Sequence, residues 1–137
     1  MKQIVSVAAL ALLLLGSCKK TIEKMKENAV INAMTDGQWV ITSFVNNGTV
    51  ITSDFSGYKF QYHSNYTVDA IKNGTIEKTG TWDGDAATMT ITANFPNATT
   101  PLSLIDGAWH IDDNSWTYVV ASLNTAGGSR TLRLEKL

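Results

Sequence analysis

The side chains able to do chemistry are few enough to weigh one by one. The 137-residue chain has one cysteine, Cys18, and two histidines, His63 and His110. Neither histidine has a second histidine or a cysteine at metal-ligand spacing. Both fall on the polar side of alternating, strand-like segments, so exposed strand positions explain them better than ligation. The acidic clusters are Asp83-Gly84-Asp85 and Asp112-Asp113-Asn114. Calcium takes roughly six to eight oxygens, and neither cluster has the ligand spacing of a calcium loop. Asp, Asn and Gly together read instead as hairpin turns, for backbone reasons. The chain has no Gly-x-Ser-x-Gly elbow. No acidic residue sits on an apolar face where burial would raise its pKa. No catalytic residue, no metal and no cofactor is expected, and the chain does not read as an enzyme.

Cys18 is explained by its position. Lys2 precedes an apolar stretch, Ile4 to Leu15, broken only by Ser6 and ended by Leu15-Gly16-Ser17-Cys18. About twelve apolar residues are too few for a helix that spans a bilayer, which takes roughly twenty. A basic start, a short apolar run and small residues before a junction describe an export signal. The Leu-Gly-Ser-Cys tetrapeptide resembles the lipobox of bacterial lipoproteins. That resemblance implies cleavage before Cys18 and acylation of its thiol, with palmitate among the attached chains. Lys19 follows, where a retaining aspartate would stand in enteric bacteria, so the analogy points to the outer membrane of the cell envelope. Residues 1–17 are therefore read as a signal peptide and residues 18–35 as a lipidated tether with a short helix. Residues 36–137 are read as the folded domain.

The helix expectation rests on Ile22, Met25, Ala29 and Ala33 at helical spacing, with Thr21 as N-cap and Gly37 beyond the end. Charge divides at the same boundary. From Asp36 onward there are six basic and ten acidic residues, whereas Cys18 to Thr35 holds four lysines and two glutamates. A mildly acidic domain on a short basic arm is a poor partner for nucleic acid.

From Gln38 onward β-branched and aromatic residues dominate. Turn signals recur at Asn47-Gly48, Ser56-Gly57, Asn73-Gly74, Asp83-Gly84, Asp106-Gly107 and Gly127-Gly128. No gap is long enough for a crossover helix, so an antiparallel all-β domain of eight or nine strands is expected: an up-and-down barrel, or else a β-sandwich. Period-two alternation places Trp39, Ile41, Ser43 and Val45 on one side of the first strand. It likewise groups Tyr58, Phe60 and Tyr62; Ile76, Lys78, Gly80 and Trp82; Met89, Ile91 and Ala93; Trp116, Tyr118 and Val120; and Leu132 with Leu134.

Gly37-Gln38-Trp39, Tyr58-Lys59-Phe60, Gly80-Thr81-Trp82 and Gly107-Ala108-Trp109 follow one another in this rhythm. In that order, behind the Cys18 tetrapeptide, they resemble the lipocalin-like lipoproteins of Bacteroidetes, within the calycin group, over residues 36–137. The resemblance implies an up-and-down barrel. It also implies a first-strand tryptophan, here Trp39, packed at one end under a basic side chain of the last strand. Lys136 has the inward parity for that role; Arg133 has the chemistry but the outward parity.

An eight-stranded barrel is just wide enough to be filled by its own side chains. The expected inward set includes Trp39, Tyr58, Phe60, Tyr62, Trp82, Trp109, Trp116 and Tyr118, with only Ser43, Ala70, Gly80 and Ala93 small. A mostly self-filled barrel follows, with at most a shallow pocket at one mouth. Two functions are then expected. One is a lipocalin-like binder of a small apolar or amphipathic ligand, with Tyr58, Phe60, Tyr62, Trp82, Trp116 and Tyr118 as the contacts. The other is an interaction or inhibitor lipoprotein whose loops, Asn94–Thr100 and Asp112–Ser115, touch another envelope protein.

Overall fold

The computed structural model describes residues 24–137. Residues 24–35 form a helix, α1, and the rest is β-structure. The strands are β1 (Trp39–Asn46), β2 (Thr49–Val50), β3 (Tyr58–Tyr62), β4 (Thr67–Lys72), β5 (Thr75–Asp85), β6 (Thr90–Asn94), β7 (Gly107–Asn114), β8 (Tyr118–Thr125) and β9 (Gly128–Lys136). Every pairing is antiparallel. β2 is a two-residue strand folded back on β1; the other eight run in order and close through β1 and β9. The protein is a closed eight-stranded up-and-down barrel with one short helix, and the β-sandwich alternative falls away. Among the described residues no helix is long and apolar enough to cross a membrane.

Antiparallel order gives the barrel two distinct ends. The start of β1, the end of β9 and the β3–β4, β5–β6 and β7–β8 connections lie at one end, which also carries α1. We call this the tether end. The far end holds the β2 hairpin, the tight Asn73-Gly74 turn and the long β6–β7 connection. Both residues of that tight turn take positive φ, 50° and 84°, as a two-residue hairpin of this hand requires.

The interior is one apolar cluster that includes Trp39, Phe44, Phe60, Val68, Phe95 and Trp109, all at most 2 % exposed. Alternation assigned most of these faces correctly, and three departures have physical causes. A register shift between Ile41 and Ser43 breaks the period in β1, so Phe44 turns inward in place of Ser43 and Val45. In β8 the inward residues are Val119 and Ala121, paired with Leu134 and Leu132, so Trp116, Tyr118 and Val120 are not core. Both sides of that strand are apolar, and the smaller side fits beside the indole of Trp109. Ile76 and Met89 are exposed, the one beyond the register shift in the β4–β5 pair, the other in the β5–β6 turn. The acidic clusters are corrected too. Asp83-Gly84-Asp85 ends β5 and Asp112-Asp113-Asn114 ends β7, so both are strand rather than turn.

Candidate functional site

Each mouth of the barrel is closed by chain that the three buried indoles hold in place. Trp39 Nε1 donates to the Met34 carbonyl at the end of α1, 2.9 Å away. Trp82 Nε1 donates to His63 O in the β3–β4 loop at 3.0 Å, and Trp109 Nε1 to Ile105 O in the β6–β7 connection at 2.7 Å. Each Gly-x-Trp triplet thus puts a large apolar body in the core while its one polar atom satisfies a carbonyl of a neighbouring connection. At Gly80 the glycine is needed for space, because a Cβ would stand 2.3 Å from the Asn94 carbonyl oxygen.

At the far end the 3₁₀ turn Thr52–Phe55 stacks Phe55 on Phe44, ring centres 4.8 Å apart. The 3₁₀ turn Leu102–Ile105 buries both its terminal residues. At the tether end α1 lies over the opening. Met34 is buried, Val30 and Ile31 pack on the core, and Val30 sits where a Cβ on Gly84 would be 2.9 Å from its Cγ1. Helix and barrel meet there because Gly84 has no side chain.

Between the two closures the lumen is full. The open space left among Ile41, Phe60, Ile91, Trp109, Leu132 and Leu134 is about 20 Å³, the room of one water in an apolar setting. Tyr58, Phe60, Tyr62 and Trp82 belong to this packing. Tyr58 and Phe60 stack at 6.1 Å, and Tyr62 meets Trp82 edge-on at 5.4 Å. Burial raises the Tyr62 phenol well above its ordinary pKa. Burial and then a hydrogen bond to Glu77 push Tyr58 up to about 12.

Trp116 and Tyr118, expected alongside them, are outside. Trp116 is 61 % exposed in the β7–β8 turn. Tyr118 lies on the outer wall under Arg133, whose guanidinium carbon is 4.4 Å from the ring centre. Its hydroxyl donates to Asp113 at 3.1 Å. Parity settles the pair of basic candidates on the last strand: Lys136 Nζ lies 5.1 Å from the centre of the Trp39 ring and 3.6 Å from Asp36.

The shallow pocket expected at one mouth corresponds to a groove of about 410 Å³ at the tether end, but of the six contacts expected for a ligand only Trp116 lines it. Ala29, Val30 and Ala33 of α1 form one wall; Met89 and Trp116, from two barrel turns, form the other. Alternation assigns Met89 and Trp116 to strands; the structure places both in turns.

Both histidines are on the outer wall, each against an aspartate. His63 Nε2 is 2.8 Å from Asp69 and His110 Nδ1 is 3.0 Å from Asp112. Asp69 is held below the usual carboxylate range by the Thr79 hydroxyl and then His63; Asp112 is lowered by His110 and then Ser122. In both groups the hydroxyl serves the carboxylate, not the imidazole, which is the wrong order for activating a nucleophile. Among the described residues no three His, Cys, Asp or Glu side chains gather at metal-binding distance. Cys18 and the signal segment lie outside the described residues.

No family model and no curated protein matches the chain. Among solved structures, a DUF4847 family protein from Bacteroides vulgatus ATCC 8482 is similar at a TM-score of 0.54 and 14 % identity. The match covers 77 % of this chain and 96 % of that one. The likeness is one of fold. It supports the closed antiparallel barrel and leaves the chemistry to the residues described above.

Proposed function

We propose that this protein is a lipoprotein of the bacterial cell envelope, acylated at Cys18 and held at the outer membrane. Its barrel is a rigid scaffold, and it takes a small apolar or amphipathic molecule at the mouth groove rather than in the lumen. The observation that carries this reading is the contrast between a lumen with about 20 Å³ open and a groove of about 410 Å³ between α1 and Trp116 walled mainly by Ala, Val, Met and Trp side chains, whereas the cleft of similar size beside Tyr66 and Trp82 is walled mainly by Asn, Thr and Asp. Ligand pockets run from roughly 300 to 1,000 Å³ and are lined mainly by apolar and aromatic groups. The groove meets both conditions, with Met89 and Trp116 on its open side.

The test is a thermal-shift and native mass-spectrometric screen of straight-chain carboxylates and detergents of graded length. A rise in Tm with one bound molecule per chain is expected, and Trp116→Ala abolishes both without unfolding the barrel, because Trp116 is exposed. No adduct and no shift across the series would overturn the groove. A second reading, an interaction or inhibitor domain, is favoured by the full lumen, since a filled barrel offers partners a stiff surface. Cross-linking from positions 94–100 and 112–115 separates the two by recovering either a partner or monomer alone.

A further inference from the structure

The apolar surface is unevenly shared between the two ends. Seven large hydrophobic side chains are exposed among the described residues. Met25, Tyr66, Met89, Trp116 and Leu137 are at the tether end, and only Val50 and Ile76 are at the other. Tyr66 is held in the left-handed region at φ 66° with its ring 5.9 Å from Trp82, so the loop presents the aromatic rather than burying it. Trp116 stands at the lip of the groove.

The chain before the structure limits where this end can be. Cys18 is six residues before Lys24, the first residue of α1, a reach of at most about 20 Å when fully extended. Lys26, within the first turns of the helix, lines the groove. An acyl group on Cys18 therefore keeps the tether end, and not the far end, within a short distance of the lipid. Tryptophan and tyrosine favour the headgroup level of a bilayer, where one part of the ring is apolar and the other wet.

From the apolar side chains and the short leash together, we infer that the tether end seats on the bilayer, with Trp116, Met89 and Tyr66 at the headgroup level. The inference rests on the acylation of Cys18 proposed above. Charge selects the kind of lipid. Glu27, Asp36, Asp83, Asp85, Asp112 and Asp113 are all exposed at this same end, against Lys24 and Lys26 and, next to Cys18 in the sequence, Lys19 and Lys20. Anionic headgroups would be repelled by this excess of six carboxylates over four lysines, so the occupant is a zwitterionic surface.

The experiment uses the full mature lipoprotein in phosphatidylcholine vesicles whose acyl chains are either brominated or plain. Bromine quenches indoles within a few ångströms, and Trp39, Trp82 and Trp109 are buried in the barrel. Emission is expected to fall in brominated vesicles, and Trp116→Phe removes that fall while staying bound. Replacing a third of the lipid by phosphatidylglycerol with the same brominated chains should reduce the quenching without releasing the protein, since the anchor still holds it. Equal emission in brominated and plain vesicles, from protein that floats with them, would overturn the docking and leave the anchor standing. Equal or deeper quenching with phosphatidylglycerol would overturn the choice of a zwitterionic surface. A chain whose mass shows no acyl group on Cys18 and which does not float would overturn the anchor, and the docking with it.

Discussion

The two ends of the barrel are shut by different means. At the far end the closing pieces, Thr52–Phe55 and Leu102–Ile105, are 3₁₀ turns tied to the sheet by strands before and after them. At the tether end α1 joins the sheet only through its C-terminus, at β1, and its hold comes from Met34, Val30 and the Trp39 indole. A plug tied on both sides can open only by breaking strand pairing, whereas one tied on a single side can lift by itself. The apolar exposure and the groove are on the side with the single attachment. The difference teaches that the far end is locked into the sheet, while the end under α1 is the one left free for the contacts proposed above.

The largest effect expected is from removing the residue that the α1 plug and the barrel wall share. Trp39→Ala deletes a wholly buried indole at the meeting of β1, β3 and β9 and leaves the Met34 carbonyl without its donor. A loss of about 3–5 kcal/mol is expected in urea unfolding, with one transition for helix and barrel. A smaller loss, with α1 released and the barrel intact, would show that the indole serves only the plug.

The helix contact itself can be isolated by a double-mutant cycle. Gly84→Ala places a methyl group 2.9 Å from Val30 Cγ1, so α1 must shift. A cost of about 1–3 kcal/mol is expected from this overpacking. Val30→Ala in the same chain should return most of it, as for residues in direct contact. Amide exchange locates the loss: in Gly84→Ala the amides of residues 24–35 should exchange faster while those of β8 and β9 keep their protection. Uniform acceleration across the barrel would mean that the two ends are one cooperative unit.

What the sequence made legible follows the same division. The barrel could be read because strands with one wet face must alternate, and Trp39, Phe60, Trp82 and Leu132 all face inward as that alternation requires. Phe44 could not be placed, because a bulge between Ile41 and Ser43 changes the parity and leaves no trace in composition. Tyr118 was misplaced because β8 is apolar on both sides, and Trp116 because it stands in the turn before β8 rather than in the strand. The far-end closure was visible in a form easy to discount: Phe55, Phe95, Leu102 and Ile105 are apolar residues in segments that read as loops. A pocket at one mouth was legible but its walls were not, since they are α1 and two turns whose distance in sequence is large. A short periodic helix such as α1 can be read from its own residues, but not the mouth it covers.

The smallest effect expected concerns two of the three cations of β9, Lys136 and Arg133. Lys136 is mostly buried, over the face of Trp39, and its stem also lies along Gly37, 3.6 Å from where a Cβ would stand there. Asp36, its ionic partner, is exposed to solvent, so the ion pair adds little and the ring contact is the larger part. Lys136→Met keeps the apolar stem and removes the charge, and a loss of about 0.5–2 kcal/mol is expected, nearly insensitive to salt. Arg133 stacks on Tyr118 across the outer wall, where water competes for both groups, so Arg133→Met should cost less than Lys136→Met. Chemical denaturation of the two variants at low and high salt ranks them. If Arg133→Met proved the more damaging, the outer wall rather than the end beside α1 would be where β9 is fastened, and the single-sided hold on the plug would lose its clearest support.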